Sequence, residues 1–396
     1  MGPRRALVGL GVAGLILAGC GVPEAQLGPA GEVEETSESW RRLPAPPLSP
    51  RNFSIVVGVG DQMLVVGGWE FLCPPDADCM SPDGPWFRDG AVYDRRTDSW
   101  SPTAPAPFGL IREHHAATAL DGSVYLLSDC ADGPACDGAR RLLSYDLAAD
   151  RWTDHGPVPG DRPRHSRYLV PFGERLLVHS GSDEGGEVAD LVFDPARASW
   201  AELPDDPLPR SYDRTLAPAG DQLVLAALPI NPPGGESGRP AARFDPDTGR
   251  WARLPGAPGN AFGLLPTSRG VLLNGRFVDS PGWILDPTTW DWSELPTAAG
   301  ADHDLSGVLD GDSAIYDVPN SVGEMTTTQR LLAYDAVTEA FVAIPALPPR
   351  ADVYDDSSAA LGRDLFVYGG QRWSGRGADA EGELVGDAWL WTAPTR

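Results

Sequence analysis

Tyr93-Asp-Arg-Arg-Thr-Asp-Ser-Trp100 carries the pattern from which the architecture of this chain follows. An aromatic or large apolar residue precedes an aspartate, and an aromatic ring follows that aspartate at the sixth position. The spacing returns at Asp146/Trp152, Asp194/Trp200, Asp245/Trp251, Asp286/Trp292 and Asp335/Phe341. The residues before the aspartates are Tyr93, Tyr145, Phe193, Phe244, Leu285 and Tyr334. Copies 41 to 52 residues apart describe a structural repeat, and a residue kept in every copy belongs first to the scaffold. The aspartate is expected to bond backbone in a turn, and the tryptophan to pack between neighbouring units.

Working outward, Leu-Pro-like segments follow the motif: Leu43-Pro44, Leu203-Pro204, Leu254-Pro255, Leu295-Pro296 and Ile344-Pro345. Next come a small-residue strand, a Gly/Asp turn and an apolar strand such as Asp61-Gln-Met-Leu-Val-Val66. Short runs between turn residues are strand signals, and no sustained helical period appears. Each unit therefore holds four strands, the third ending near the aspartate and the fourth containing the tryptophan.

Four-stranded units of this length resemble kelch repeats, over residues 37–396. The double glycine typical of that family stands at Gly67-Gly68 and Gly369-Gly370. The resemblance implies an all-β, seven-bladed β-propeller. The last unit has a third strand at Asp387-Ala-Trp-Leu-Trp391 but no fourth, whereas Glu38-Ser-Trp40 matches a fourth strand with nothing before it. The N-terminal strand should complete the last blade, which removes the exposed sheet edges at both ends.

Residues 1–20 read as a lipoprotein signal peptide. Arg4 and Arg5 precede an apolar run too short to span a membrane, and Leu17-Ala-Gly-Cys20 resembles a lipobox with Cys20 as the lipidated residue. Residues 21–36 are small and acidic, the composition of a flexible tether. Cys73/Cys79 and Cys130/Cys136 share one short spacing, longer than the usual zinc pair, and read as two local disulfides in an oxidising compartment. The expected location is the extracytoplasmic face of a cell membrane.

All 31 basic residues are arginine, which excludes Schiff-base chemistry on lysine. A net charge of −25 argues against nucleic-acid binding. No P-loop, His-Glu-x-x-His or Gly-x-Ser-x-Gly occurs, and no cofactor or metal is expected. Copper oxidases of the kelch type need a Tyr–Cys cross-link, and here the cysteines beyond Cys20 are already paired.

The reading is a monomeric binding or scaffolding propeller for a partner protein or glycan. The alternative is a carbohydrate-active enzyme resembling kelch sialic-acid epimerases or mutarotases. Its site would be an Arg-lined channel with Glu113, His114 and His115, near whose mouth His165 also stands, although the adjacent His114 and His115 face opposite sides of a strand. Candidate ligand contacts lie in the loops leading into each inner strand: Arg51, Arg112, Arg164, Arg210 and Arg350. These arginines serve either a ligand or the scaffold. A second candidate surface is the long loops of the first and last blades, with Trp69, Trp86, Arg372 and Trp373 as exposed aromatics beside arginine. The competing account is that these rings fold the loops onto the propeller.

Overall fold

The repeated aspartate closes a turn in all six copies. Its carboxylate accepts backbone N–H groups two or three residues on: Arg96 from Asp94, Ala148 and Ala149 from Asp146, Arg197 from Asp194, Asp247 from Asp245, Thr288 from Asp286 and Val337 from Asp335. Four residues after each aspartate the backbone turns left-handed, at Asp98, Asp150, Ala198, Gly249, Trp290 and Glu339, with φ between 46° and 65°. This fixed turn sets the six-residue spacing, because it places the residue before each aspartate opposite the residue that ends the motif. Tyr93 faces Trp100 and Tyr145 faces Trp152 across the strands, with ring centroids 5.3 and 4.9 Å apart. Aromatic cross-strand pairs of this kind stabilise by about 0.5–1.5 kcal/mol beyond area burial.

The computed structural model describes residues 34–35, 40–74, 77, 79, 84–111, 115–130, 136, 138–161, 166–231, 239–258, 261–275, 283–295, 304–310, 313–318, 330–345, 347, 350, 353–374 and 380–393. All belong to the unit Gly31–Arg396. The lipobox and Cys20 lie outside the described residues, which contain no α-helix.

Seven sheets of these residues repeat one antiparallel order. The first runs Ile55–Val59, Gln62–Val66, Gly90–Asp94, Ser99–Pro102, and the next five follow the same succession along the chain. Within each, the second strand is an unbroken apolar run, as in Met63 to Val66, because a neighbouring sheet covers each of its faces. The fourth strands are largely exposed. Apolar clusters sit between consecutive sheets: Leu64, Val66, Val124 and Leu126 between the first two, Leu177, Leu216 and Leu225 between the third and fourth.

The seventh sheet joins both ends of the chain. Its strands are Ser357–Leu361, Asp364–Tyr368, Ala388–Trp391 and, outermost, Arg41–Arg42, which pairs antiparallel with Leu390 and Trp389. Leu43 N donates to Ala388 O at 2.9 Å. The innermost strand of this sheet packs against Ile55–Val59 of the first, and Ser357 Oγ donates to Ser54 O at 2.6 Å. The expected all-β kelch-like propeller, closed by its N-terminal strand, is the observed fold. Glu34–Glu35, within the stretch expected to be tether, pairs parallel with Val342 and Ala343 at the outer edge of the sixth sheet.

The double glycines are explained at the same junctions. Gly67-Gly68 and Gly369-Gly370 all have positive φ. A Cβ on Gly67 would meet Leu110 O at 2.3 Å, and one on Gly369 would meet Arg51 O at 2.5 Å. In both places the end of a second strand presses against the backbone that leads into the next blade.

One element was absent from the sequence reading. Val353–Tyr354, Gln371–Ser374 and Glu381–Leu384 form a small three-stranded sheet inserted in the last blade, where a simple loop was expected.

The turn geometry makes a stability prediction. Ala198 holds a left-handed conformation that Gly249 adopts without a Cβ penalty. Ala198→Gly should raise unfolding free energy by about 0.5–1 kcal/mol in denaturant titration. A neutral or destabilised variant would contradict the shared turn.

Candidate functional site

The arginines expected at the channel mouth are engaged inside the fold where they are described. Arg51 is 1% exposed, and its two terminal nitrogens donate to Asp89 Oδ1 and Oδ2 at 2.7 and 2.9 Å. It also reaches Gly67 O and Ser49 O, and its guanidinium lies 4.1 Å from the Phe87 ring centre. Arg350 repeats this in the last blade, with Asp387 at 2.6 Å, Asp356 at 3.2 Å and the Gly369 carbonyl. Asp89 and Asp387 both stand one residue before a third strand. Each arginine therefore ties the segment leading into a blade to the third strand of that blade. A guanidinium this deep requires such partners, since an unpaired buried charge is costly.

Arg210 is the exception, with an exposed side chain whose Nη2 donates to Asp183 O at 2.7 Å and whose Nε lies 3.6 Å from Glu187. It stands at the rim of a cavity of about 250 Å³. Beneath it Arg214, buried in the fourth sheet, meets Asp206 at 2.7 Å and Asp183 and Asp190 at 3.4 Å. Burial raises the Asp190 carboxyl above the usual range, against the pull of Arg214. Arg112, Arg164, Glu113, His114 and His165 fall outside the described residues.

The loop aromatics need a correction. Trp69 and Trp86 are not exposed: they are 3% and 7% accessible and form a cluster with Ile111, Phe53 and Phe71. Trp69 and Phe71 rings are 4.8 Å apart. The long loop buries these rings against Phe53 and Ile111, which favours the account that they fold the loop onto the propeller. Trp373 is half-buried and lies flat across Gly382, where a Cβ would meet its ring at 2.7 Å.

What faces outward is the seam between the first and last blades. The Cys73–Cys79 disulfide closes the first-blade loop, and Cys73 N donates to Gln371 Oε1 of the inserted sheet at 2.9 Å. Gln371 in turn bonds Asp355. Leu72 is 38% exposed beside the disulfide, and Arg372 pairs with Glu383 at 2.8 Å on the inserted sheet. The second disulfide, Cys130–Cys136, lies in the corresponding loop of the second blade.

Sequence reasoning also missed Tyr168. It is 51% exposed on the inner strand Arg167–Phe172 and stacks on His179, with ring centroids 5.1 Å apart. Burial of His179 lowers its pKa to about 3, so it is a neutral platform. Only a tyrosine at the start of an inner strand hinted at this. Among the described residues no three His, Cys, Asp or Glu side chains converge to hold a metal ion.

No family model matches the chain. It is 26% identical over 190 residues to the kelch-like protein terF of Aspergillus terreus, covering 44% of this chain and 39% of that protein. It is 28% identical over 136 residues to beta-scruin of Limulus polyphemus, covering 31% and 15%. It is 30% identical over 145 residues to kelch domain-containing protein 7A of Mus musculus, covering 36% and 18%. The chain thus spans well under half the length of these relatives. Kelch-repeat relatives at modest identity agree with the four-stranded sheets.

His179 gives a pH signature. Its pKa is lowered in the fold, so the unfolded chain takes up a proton first as pH drops below about 6.5. Its contribution is complete above that value and declines toward pH 3, by at most ~1.4 kcal/mol per unit. Asp89, held low by its bonds to Arg51, adds a loss that begins only below about 4. His155, which burial also holds low, adds to this decline, and Asp190, which burial holds high, opposes it. The His179 part is therefore read as the difference between wild type and His179→Gln, whose unfolding free energy should fall less between about pH 6.5 and 5.5. An unchanged slope would contradict the burial argument.

Proposed function

We propose that this chain is a lipid-anchored, extracytoplasmic propeller that binds a partner protein at the seam between its first and last blades. The carrying observation is the bond from Cys73 N to Gln371, which joins a disulfide-closed loop to an inserted sheet. Two insertions on opposite sides of a ring closure, locked together, make one stiff surface, and a stiff surface loses less entropy on binding. Leu72, Arg372 and Glu383 give that surface an apolar centre and a charged rim, the composition of a transient protein interface.

A protein is preferred to a glycan because the two tryptophans best able to stack on a sugar, Trp69 and Trp86, are buried. The anchor rests on Leu17-Ala-Gly-Cys20 and on the acidic stretch that follows. Two bonded cysteine pairs support an oxidising compartment.

Membrane fractionation of Cys20→Ala, with envelope cross-linking of wild type and Leu72→Glu, tests both parts. Cys20→Ala should move the protein to the soluble fraction, and Leu72→Glu should lose the cross-linked partner while unfolding normally. Full membrane retention would contradict the anchor, and an unchanged cross-link would contradict the surface.

A further inference from the structure

The inserted sheet has an edge that the other described residues leave open. Among the described residues Glu381–Leu384 pairs only with Gln371–Ser374, and its exposure alternates along the strand. A groove of about 820 Å³ runs beside it, bounded on the far side by Leu43, Ala45, Pro46, Leu48 and Pro50. Glu383 and Leu384, whose side chains point to opposite faces, line the groove together with Arg372 of the neighbouring strand, so the groove meets the C-terminal half of the edge strand. Pro46 and Pro50 carry no N–H, so the opposite wall is a poor partner for that edge. An open strand edge is a template for an incoming extended backbone.

The lining supplies side-chain selectivity. Leu48, Leu384 and Trp389 provide apolar contacts. Arg42 at the rim is 68% exposed, and its nearest carboxylate, Asp387 at 4.0 Å, is already bonded to Arg350 at 2.6 Å. A weakly paired guanidinium at the groove favours a carboxylate on the occupant. Gly382 adds a third constraint: its lack of a Cβ lets Trp373 lie flat across the edge strand. That ring stiffens the strand against which a partner would pair.

We infer that Glu381–Leu384 is a docking strand to which an extended peptide segment of a partner protein adds as a fourth strand, placing an apolar side chain against Leu48 and Trp389 and a carboxylate against Arg42. The inference rests on the partner surface proposed above and names the chemistry that surface takes.

The probe is a phage-displayed random dodecapeptide library panned on the full chain, with enriched peptides synthesised and titrated by fluorescence polarisation. The comparison set is wild type, Leu72→Glu, and Arg42→Glu combined with Leu48→Arg, each checked for normal thermal unfolding. Enriched peptides should bind wild type and Leu72→Glu alike and weaken about tenfold or more on the groove variant. N-methylation at alternate peptide positions should abolish binding while the intervening positions tolerate it. Peptides that bind the groove variant unchanged, or that tolerate every N-methyl group, would overturn strand addition, as would a library yielding no binder. Binding lost on Leu72→Glu but kept on the groove variant would leave the partner surface standing and remove the docking strand. A dimer in solution that cross-links through Glu383→Cys would place a second copy on this edge and overturn the inference.

Discussion

An indole N–H of one sheet donating to a carbonyl of the sheet before it is the interaction on which the ring depends. Trp100 reaches Pro44 O at 2.8 Å, Trp152 reaches Ala104 O at 3.0 Å, Trp251 reaches Pro204 O at 2.7 Å and Trp292 reaches Pro255 O at 3.3 Å. Trp40, ahead of the strand that completes the last sheet, reaches Pro345 O at 2.7 Å. The acceptor lies just after, or near the end of, the preceding sheet's outer strand. In most cases it is the proline of a Leu-Pro or Ile-Pro pair, whose Leu or Ile enters an apolar core. The proline ends strand pairing and leaves its carbonyl free, while the tryptophan spans the gap between blades with a large apolar face and one polar tip. Among the described residues, five of the seven sheets are fixed to their predecessor by such a bond, and in four of them the partners are a tryptophan and a proline. The sixth sheet carries Phe341 in that place, which has no indole to donate.

A second layer of constraint lies at the opposite end of the strands. There Arg51, Arg350 and Arg214 hold the segments between blades against Asp89, Asp387 and a group of three aspartates. In a chain with net charge −25 these three arginines are consumed by carboxylates of the fold and are not presented to anionic ligands. Planar forks that make several bonds at once suit this task better than ammonium groups would. Among the described residues the outward-facing chemistry is left to Arg210, Tyr168 and the inserted elements at the seam.

The repeat was legible because its signals are local and recur. The aspartate-to-tryptophan spacing reflects one turn, and the unmatched Trp40 and Asp387 segments were enough to place the closure. The arginine roles were not legible, because Asp89 lies 38 residues from Arg51 and nothing in the spacing joins them. The exposure of Trp69 and Trp86 was misjudged for a related reason: a loop rich in aromatics reads the same whether its rings face solvent or each other. The inserted sheet escaped notice because its strands are only two to four residues long, too short for a hydrophobic alternation to be read from the sequence.

The seam is where these elements meet, since the N-terminal strand closes the ring, the double glycine of the last blade presses on Arg51, and the disulfide loop bonds the inserted sheet. The most direct measurement is equilibrium unfolding of Trp→Phe variants at 40, 100, 152 and 251, which remove the indole N–H and keep an aromatic face. The account predicts a loss of about 0.5–1.5 kcal/mol at each position, in a single cooperative transition, with Trp40→Phe no weaker than the others. If Trp40→Phe is neutral while Trp100, Trp152 and Trp251 destabilise, the N-terminal strand does not close the ring.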